Sequence, residues 1–113
     1  MFGKNKTKVI DITPNEAEGL ARSGQLVLVD VREPDERRDL APGVQSTHLP
    51  VGQIIDRMGE LPKEQPVAFV CKAGGRSLKA AEAAAAAGLD VRNVVGGMTA
   101  WEAHGLPVTK GNA

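Results

Sequence analysis

An α/β domain built on a mostly parallel sheet is the fold class this sequence predicts, on three observations. Two aliphatic runs, "LVLVDV" (Leu26 to Val31) and "PVAFV" (Pro66 to Val70), lack the alternation of a half-exposed strand and fit strands buried on both faces. Strand candidates alternate with helical segments along the chain, the order expected when crossovers return to one sheet. The helical segments carry caps or glycine stops where strands must resume.

The elements follow in order. "KVIDI" is a short edge-strand candidate. In "ITPNEAEGLARSG", Thr13 is an N-cap, Pro14 takes the first helical position, and Glu16 completes a capping box. Ala17, Leu20 and Ala21 share one face of that helix, and Gly24 ends it. After "LVLVDV", the stretch "REPDERRDL" reads as a short charged helix opened by Pro34. Residues Ala41 to Ser46 read as loop, and "THLP" as a brief strand stopped by Pro50. "VGQIIDRMGEL" places Val51, Ile54, Ile55 and Met58 at helical spacing before Pro62. "PVAFV" is the second buried strand, and "SLKAAEAAAAAG" a helix between Ser77 and Gly88. Its alanines favour helix and let it lie close to a sheet. "VRNVV" is the last strand, and "GMTAWEAHG" a short helix closed by Gly105 and Pro107. Trp101 reads as core.

At 113 residues the chain forms one domain, with a core from about residue 7 to 108. Its 42% apolar and 25% charged residues are ordinary for a globular protein. Fourteen basic residues balance fourteen acidic ones, so no global field favours nucleic acid or anionic lipid. Phe2, Phe69 and Trp101 are the only aromatics, too few for a base-stacking platform. No window approaches a membrane span, and the N-terminus lacks an apolar leader core. A reducing cytoplasm is the expected location, and no metal or cofactor is called for.

The lone cysteine carries the functional reading. Cys71 follows "PVAFV" directly and precedes "KAGGRS". In open α/β sheets ligands bind outside the carboxyl ends of the strands. The residues Lys72, Ala73, Gly74, Gly75 and Arg76 then form a tight turn into a helix capped by Ser77. Two glycines permit positive φ and close backbone approach, so several amides can converge on an anion. Lys72 and Arg76 add two cations. A free thiol has a pKa of about 8.5, and such surroundings lower it to roughly 3.5–7.5 in reactive cysteines. A helix end supplies only about 0.3–1 kcal/mol, so amides and cations must supply the rest. Cys71 is therefore the candidate nucleophile, with Lys72 to Ser77 binding an anionic substrate.

The residues "CKAGGRS" with the following alanine-rich helix, and then "NVVGGMTAWEAHGLPV", resemble the rhodanese-like sulfurtransferase domain. "LVLVDVREPDE" is similar to that family's strand and Asp-x-Arg signature, and "HLP" to its later strand. The resemblance spans roughly Thr7 to Val108. It departs between Arg37 and Thr47, where Arg37 stands in place of an aromatic and a Gly-His pair is missing. It implies a five-stranded sheet with helices on both faces and a sulfurtransferase working through a Cys71 persulfide. The implied donor is a small sulfane-sulfur anion such as thiosulfate. The acceptor would be cyanide, a thiol or a sulfur-carrier protein.

Rival readings rest on fewer residues. Thiolate phosphatases and arsenate reductases also pair a cysteine with an arginine, but phosphatase loops hold one residue more than the four between Cys71 and Arg76. A redox role lacks a second cysteine. A cysteine hydrolase needs a histidine base, and His48 and His104 both read as strand-end or helix-end residues. A non-catalytic docking module would not need the thiol. Asp30, Arg32 and Glu36 read as a structural charge cluster, and Arg37 and Arg38 as solvated.

Overall fold

The computed structural model describes residues 8–32, 46–73 and 75–106. The charged segment expected to be helical, most of the following loop, and Gly74 lie outside these residues. Five strands form one sheet: β1 (Ile10–Ile12), β2 (Val27–Asp30), β3 (Ser46–His48), β4 (Val67–Val70) and β5 (Val91–Val94). They lie in the order β1-β5-β4-β2-β3, and every described pairing is parallel. β4 is therefore the central strand, flanked by β2 and β5.

Helix α1 (Pro14–Arg22) starts as its sequence dictates. The Glu16 amide donates to Thr13 Oγ1 at 3.1 Å, and Thr13 N–H donates to Glu16 Oε1 at 2.9 Å. Helix α2 (Gly75–Ala86) and helix α3 (Gly97–Ala103) complete the layers. Because side chains alternate across each strand, the sheet feeds two cores. Val27, Val29, Val67, Phe69 and Val91 meet Ala80, Ala81, Ala84 and Ala85 of α2 on one face. On the other, Leu28, Ala68, Val70 and Val94 meet Ala17 and Ala21 of α1 and Met98 and Trp101 of α3. The alanine face of α2 is the close-lying face that the composition predicts.

Three expectations are corrected. Val51 to Leu61 does not form one helix but two 3-10 turns, Val51–Gln53 and Met58–Glu60. Gly52 and Gly59 weaken helix propagation, and Pro50 and Pro62 bracket a segment too short to offset it. Ile54 is buried whereas Ile55 is 76% exposed, so the periodic face is broken. Helix α2 begins at Gly75, two residues before Ser77, and Ser77 is thus an interior residue rather than a cap. Finally, Ser46 is the first residue of β3, where a loop residue was expected.

Candidate active site

The central strand ends at Val70, and Cys71 occupies the next position, at the carboxyl edge of the sheet. Its thiol is 1% exposed and packs in the α2-side core. Lys72 and Ala73 are exposed bends, Gly75 is exposed at the start of α2, Arg76 is half-buried and Ser77 is fully buried. The expected glycine turn is shorter than the sequence implies, because Gly75 and Arg76 already belong to the helix. The space around Gly75 Cα is open, so its lack of a side chain is not a packing demand.

The loop backbone is held from the other side of the sheet. The Met98 amide donates to the Cys71 carbonyl at 2.8 Å, and the Thr99 amide donates to the Lys72 carbonyl at 2.9 Å. A trans peptide points its C=O and N–H in opposite directions, and no described bond is cis. Anchoring these two carbonyls on α3 therefore turns the Lys72 and Ala73 amides away from α3. Two otherwise unsatisfied N–H groups at the start of α3 are paired in the same step. The approach is close. A Cβ on Gly97, at φ +57°, would lie 2.3 Å from the Cys71 carbonyl oxygen and 2.7 Å from the Lys72 carbonyl. Only glycine fits there.

Beneath the loop runs a polar chain, buried from Cys71 to Asn93 and ending at the exposed Asp11 on the edge strand. Cys71 Sγ donates to Ser77 Oγ at 3.4 Å, and Ser77 Oγ donates to Asn93 Oδ1 at 2.7 Å. Asn93 Nδ2 donates to Asp11 Oδ1 at 3.4 Å. Asn93 lies on β5 and Asp11 faces it in register on β1.

A second polar cluster closes the end of β2. Arg32 Nε and Nη2 donate to the two carboxylate oxygens of Asp30 at 3.0 and 2.9 Å, and the Arg32 amide donates to Asp30 Oδ1 at 3.0 Å. Both side chains are buried. His48 Nε2 donates to the Arg32 carbonyl at 2.7 Å. Asp30 and Arg32 thus form the structural cluster the sequence suggests, and Glu36, Arg37 and Arg38 lie outside the described residues. His104 caps α3, with Nδ1 donating to the Ala100 carbonyl at 3.0 Å. One ring nitrogen of each histidine is thus committed to a backbone carbonyl.

Sequence reasoning missed Asn93, Asp11 and the anchoring role of Gly97. A signal existed for Asn93: asparagine is disfavoured in strands, and here it stands inside one that is buried on both faces. Among the described residues, no cluster of metal-ligating side chains occurs and no helix is long and apolar enough to cross a membrane.

Comparison with known proteins agrees with this architecture. A sulfurtransferase of Allochromatium vinosum is 37% identical over 95 residues, covering 81% of this chain and 86% of its own. The crystal structure of a rhodanese-like domain protein from Staphylococcus aureus superposes with a TM-score of 0.72 at 34% identity, covering 82% of this chain and 91% of that one. Reduced CoADR-RHD of Bacillus anthracis superposes with a TM-score of 0.75 at 30% identity over 82% of this chain, which spans only 16% of that longer protein. These likenesses support a sulfurtransferase-like role. The family model described as the rhodanese-like domain matches residues 13–104, and the chain belongs to that family.

Proposed function

We propose that the protein is a sulfurtransferase in which Cys71 carries the transferred sulfur as a persulfide. The observation that carries this reading is the anchoring of the Cys71 and Lys72 carbonyls on α3, which leaves the next two amides directed to the opposite side of the loop. Fixed amides stabilise a developing anion without reorganising when it forms. Lys72 and Arg76 bring positive charge to the same edge and attract an anionic donor.

The chemistry runs in two halves. The Cys71 thiolate attacks the outer sulfur of thiosulfate, the sulfur–sulfur bond of the donor breaks, and sulfite departs with the bonding pair. The enzyme then holds a Cys71 persulfide anion against the amides of Lys72 to Ser77. Cyanide or a thiolate, free or on a sulfur-carrier protein, next attacks the outer sulfur. Thiocyanate or a new persulfide leaves, and the Cys71 thiolate returns. No metal or organic cofactor is needed, and a reducing compartment keeps the thiol available.

Initial-rate measurements with thiosulfate and cyanide test the proposal. Parallel double-reciprocal lines are expected, as a covalent intermediate requires. Sulfite release must precede any need for cyanide, and Cys71→Ser must form no thiocyanate. Intersecting lines, or steady hydrolysis of an aryl phosphate that depends on Cys71, would replace this reading with direct transfer or with a thiolate phosphatase.

A further inference from the structure

The rim around Cys71 carries more than a small anion needs. From Cys71 to Ala81 the chain holds three cations, Lys72, Arg76 and Lys79, and no acidic residue. Lys72 and Lys79 are exposed, and neither forms a hydrogen bond or an ion pair among the described residues. Lys79 follows Gly75 by four residues, about 6 Å along the helix axis at roughly 1.5 Å per residue. It lies two residues beyond the buried Ser77, on the face of α2 opposite the alanines that pack on the sheet.

Apolar side chains stand exposed at the same edge. Among the described residues four large ones are exposed, Ile10, Ile55, Leu78 and Val95, and the last three border the site. Leu78 precedes Lys79 on α2 and is 39% exposed. The β4–β5 register pairs Val67 with Val91 and Phe69 with Asn93, so two residues further on it sets Val95 beside Cys71. Val95 is 47% exposed. The Val51 amide donates to the Val31 carbonyl, just past the end of β2, at 3.0 Å, and the turn that Val51 opens packs against α2. The exposed Ile55 comes four residues later. Thiosulfate is drawn by cations but gains nothing from leucine, isoleucine or valine facing water. A covering polypeptide gains from both.

We propose that this rim docks the sulfur acceptor, and that the acceptor is an acidic polypeptide whose carboxylates meet Lys72 and Lys79 while its apolar side chains cover Leu78, Val95 and Ile55. The acceptor's role rests on the sulfurtransferase reading; the docking does not. A thiolate on the polypeptide attacks the outer sulfur of the Cys71 persulfide. The bond from that sulfur to Cys71 breaks, and the Cys71 thiolate leaves with the bonding pair. The nearest acidic side chains stand further out: Glu82 about two turns into α2, Asp56 beside Ile55, and Asp11 on β1. They confine the cationic rim to the edge that holds the thiol.

Fluorescence anisotropy with two labelled peptides tests the surface. The peptides share leucines and a serine in the place of the thiol, and differ only in carrying glutamates or lysines. The acidic peptide should bind the full chain and the basic one should not. Lys79→Glu should weaken binding about tenfold, and Lys79→Gln and Leu78→Ser about threefold each. With cysteine restored in the acidic peptide, sulfur transfer to it should fall by the same factors, while thiocyanate formation from cyanide stays native. The proposal is overturned if both peptides bind alike, if neither binds, or if Lys79→Glu leaves binding intact. An equal loss of cyanide turnover in Lys79→Glu would also overturn it, by tying Lys79 to the donor. Binding to phosphatidylglycerol vesicles in place of the acidic peptide would make the rim a lipid surface instead. The serine peptide reports docking whether or not Cys71 takes up sulfur, so failure of the sulfurtransferase reading shows separately, as no mass gain with thiosulfate.

Discussion

Two buried polar clusters stand at the carboxyl edge of one sheet, and they are built on opposite terms. At the end of β2, Asp30 and Arg32 satisfy one another through two side-chain bonds and a third to the backbone. At the end of β4, Cys71, Ser77 and Asn93 are linked by hydrogen bonds through a hydroxyl and a side-chain amide, with no ion pair among them. The first arrangement has one stable form, because a bidentate arginine–carboxylate pair has a fixed geometry. The second has two, because a hydroxyl can turn. Burial is nearly complete in both. The ion pair has one arrangement at the end of β2, whereas the hydroxyl in the second cluster can reorient, and the sulfur chemistry proposed above is placed beside the second.

Substitutions at the two clusters should therefore fail in different ways. The largest effect is expected at the thiol: Cys71→Ala should abolish sulfur uptake and thiocyanate formation, while the urea midpoint stays near that of the native chain. Arg32→Met should do the reverse. It leaves a buried carboxylate unpaired and should cost about 3–5 kcal/mol by urea unfolding. Adding Asp30→Asn should recover much of that loss, since the amide oxygen still accepts from the Arg32 backbone. No recovery would mean that the pair is not held as a unit.

Gly97→Ala sharpens the comparison from between the clusters. Its side chain would press on the Cys71 and Lys72 carbonyls from a positive φ. A loss of about 1–3 kcal/mol is expected from strain and overpacking. Sulfur transfer should fall by about a hundredfold, the penalty for displacing reacting groups by roughly 1 Å. Normal turnover in a folded variant would show that the α3 anchor does not position the loop.

The smallest effect is expected at the exposed pair Arg57–Glu60. The Arg57 hydrogen bonds hold the Glu60 carboxyl below its usual range, and Glu60 raises Arg57. A lowered carboxylate contributes its stability at neutral pH and loses it as acid protonates the group. Solvent screening makes that contribution slight. Glu60→Gln should leave the neutral-pH urea midpoint unmoved, and a clear drop would blur the contrast between buried and exposed ion pairs.

Much of this was legible in the residues themselves. The capping box at Thr13 and Glu16 is local, and local rules found it. The unbroken aliphatic runs of β2 and β4 announced a sheet covered on both faces, and the placement of Cys71 at a strand end followed. What escaped depends on contacts far apart in sequence. Asp11 and Asn93 meet only because β1 pairs with β5, and nothing within either strand reveals that register. Gly97 looks like one half of a turn until α3 is seen against the loop that it anchors. Ser77 was expected at the rim as a cap, but the helix starts earlier and carries its hydroxyl inward. The Val51 to Leu61 segment kept its apolar spacing while its glycines denied it a helix.

Intact-mass analysis after thiosulfate treatment tests the central claim most directly. The native chain should gain the mass of a single sulfur, lose it again on adding cyanide, and show neither change in Cys71→Ala. A chain that releases no sulfite and keeps its mass, or one that gains sulfur equally without Cys71, would contradict the assignment of this thiol as the sulfur carrier.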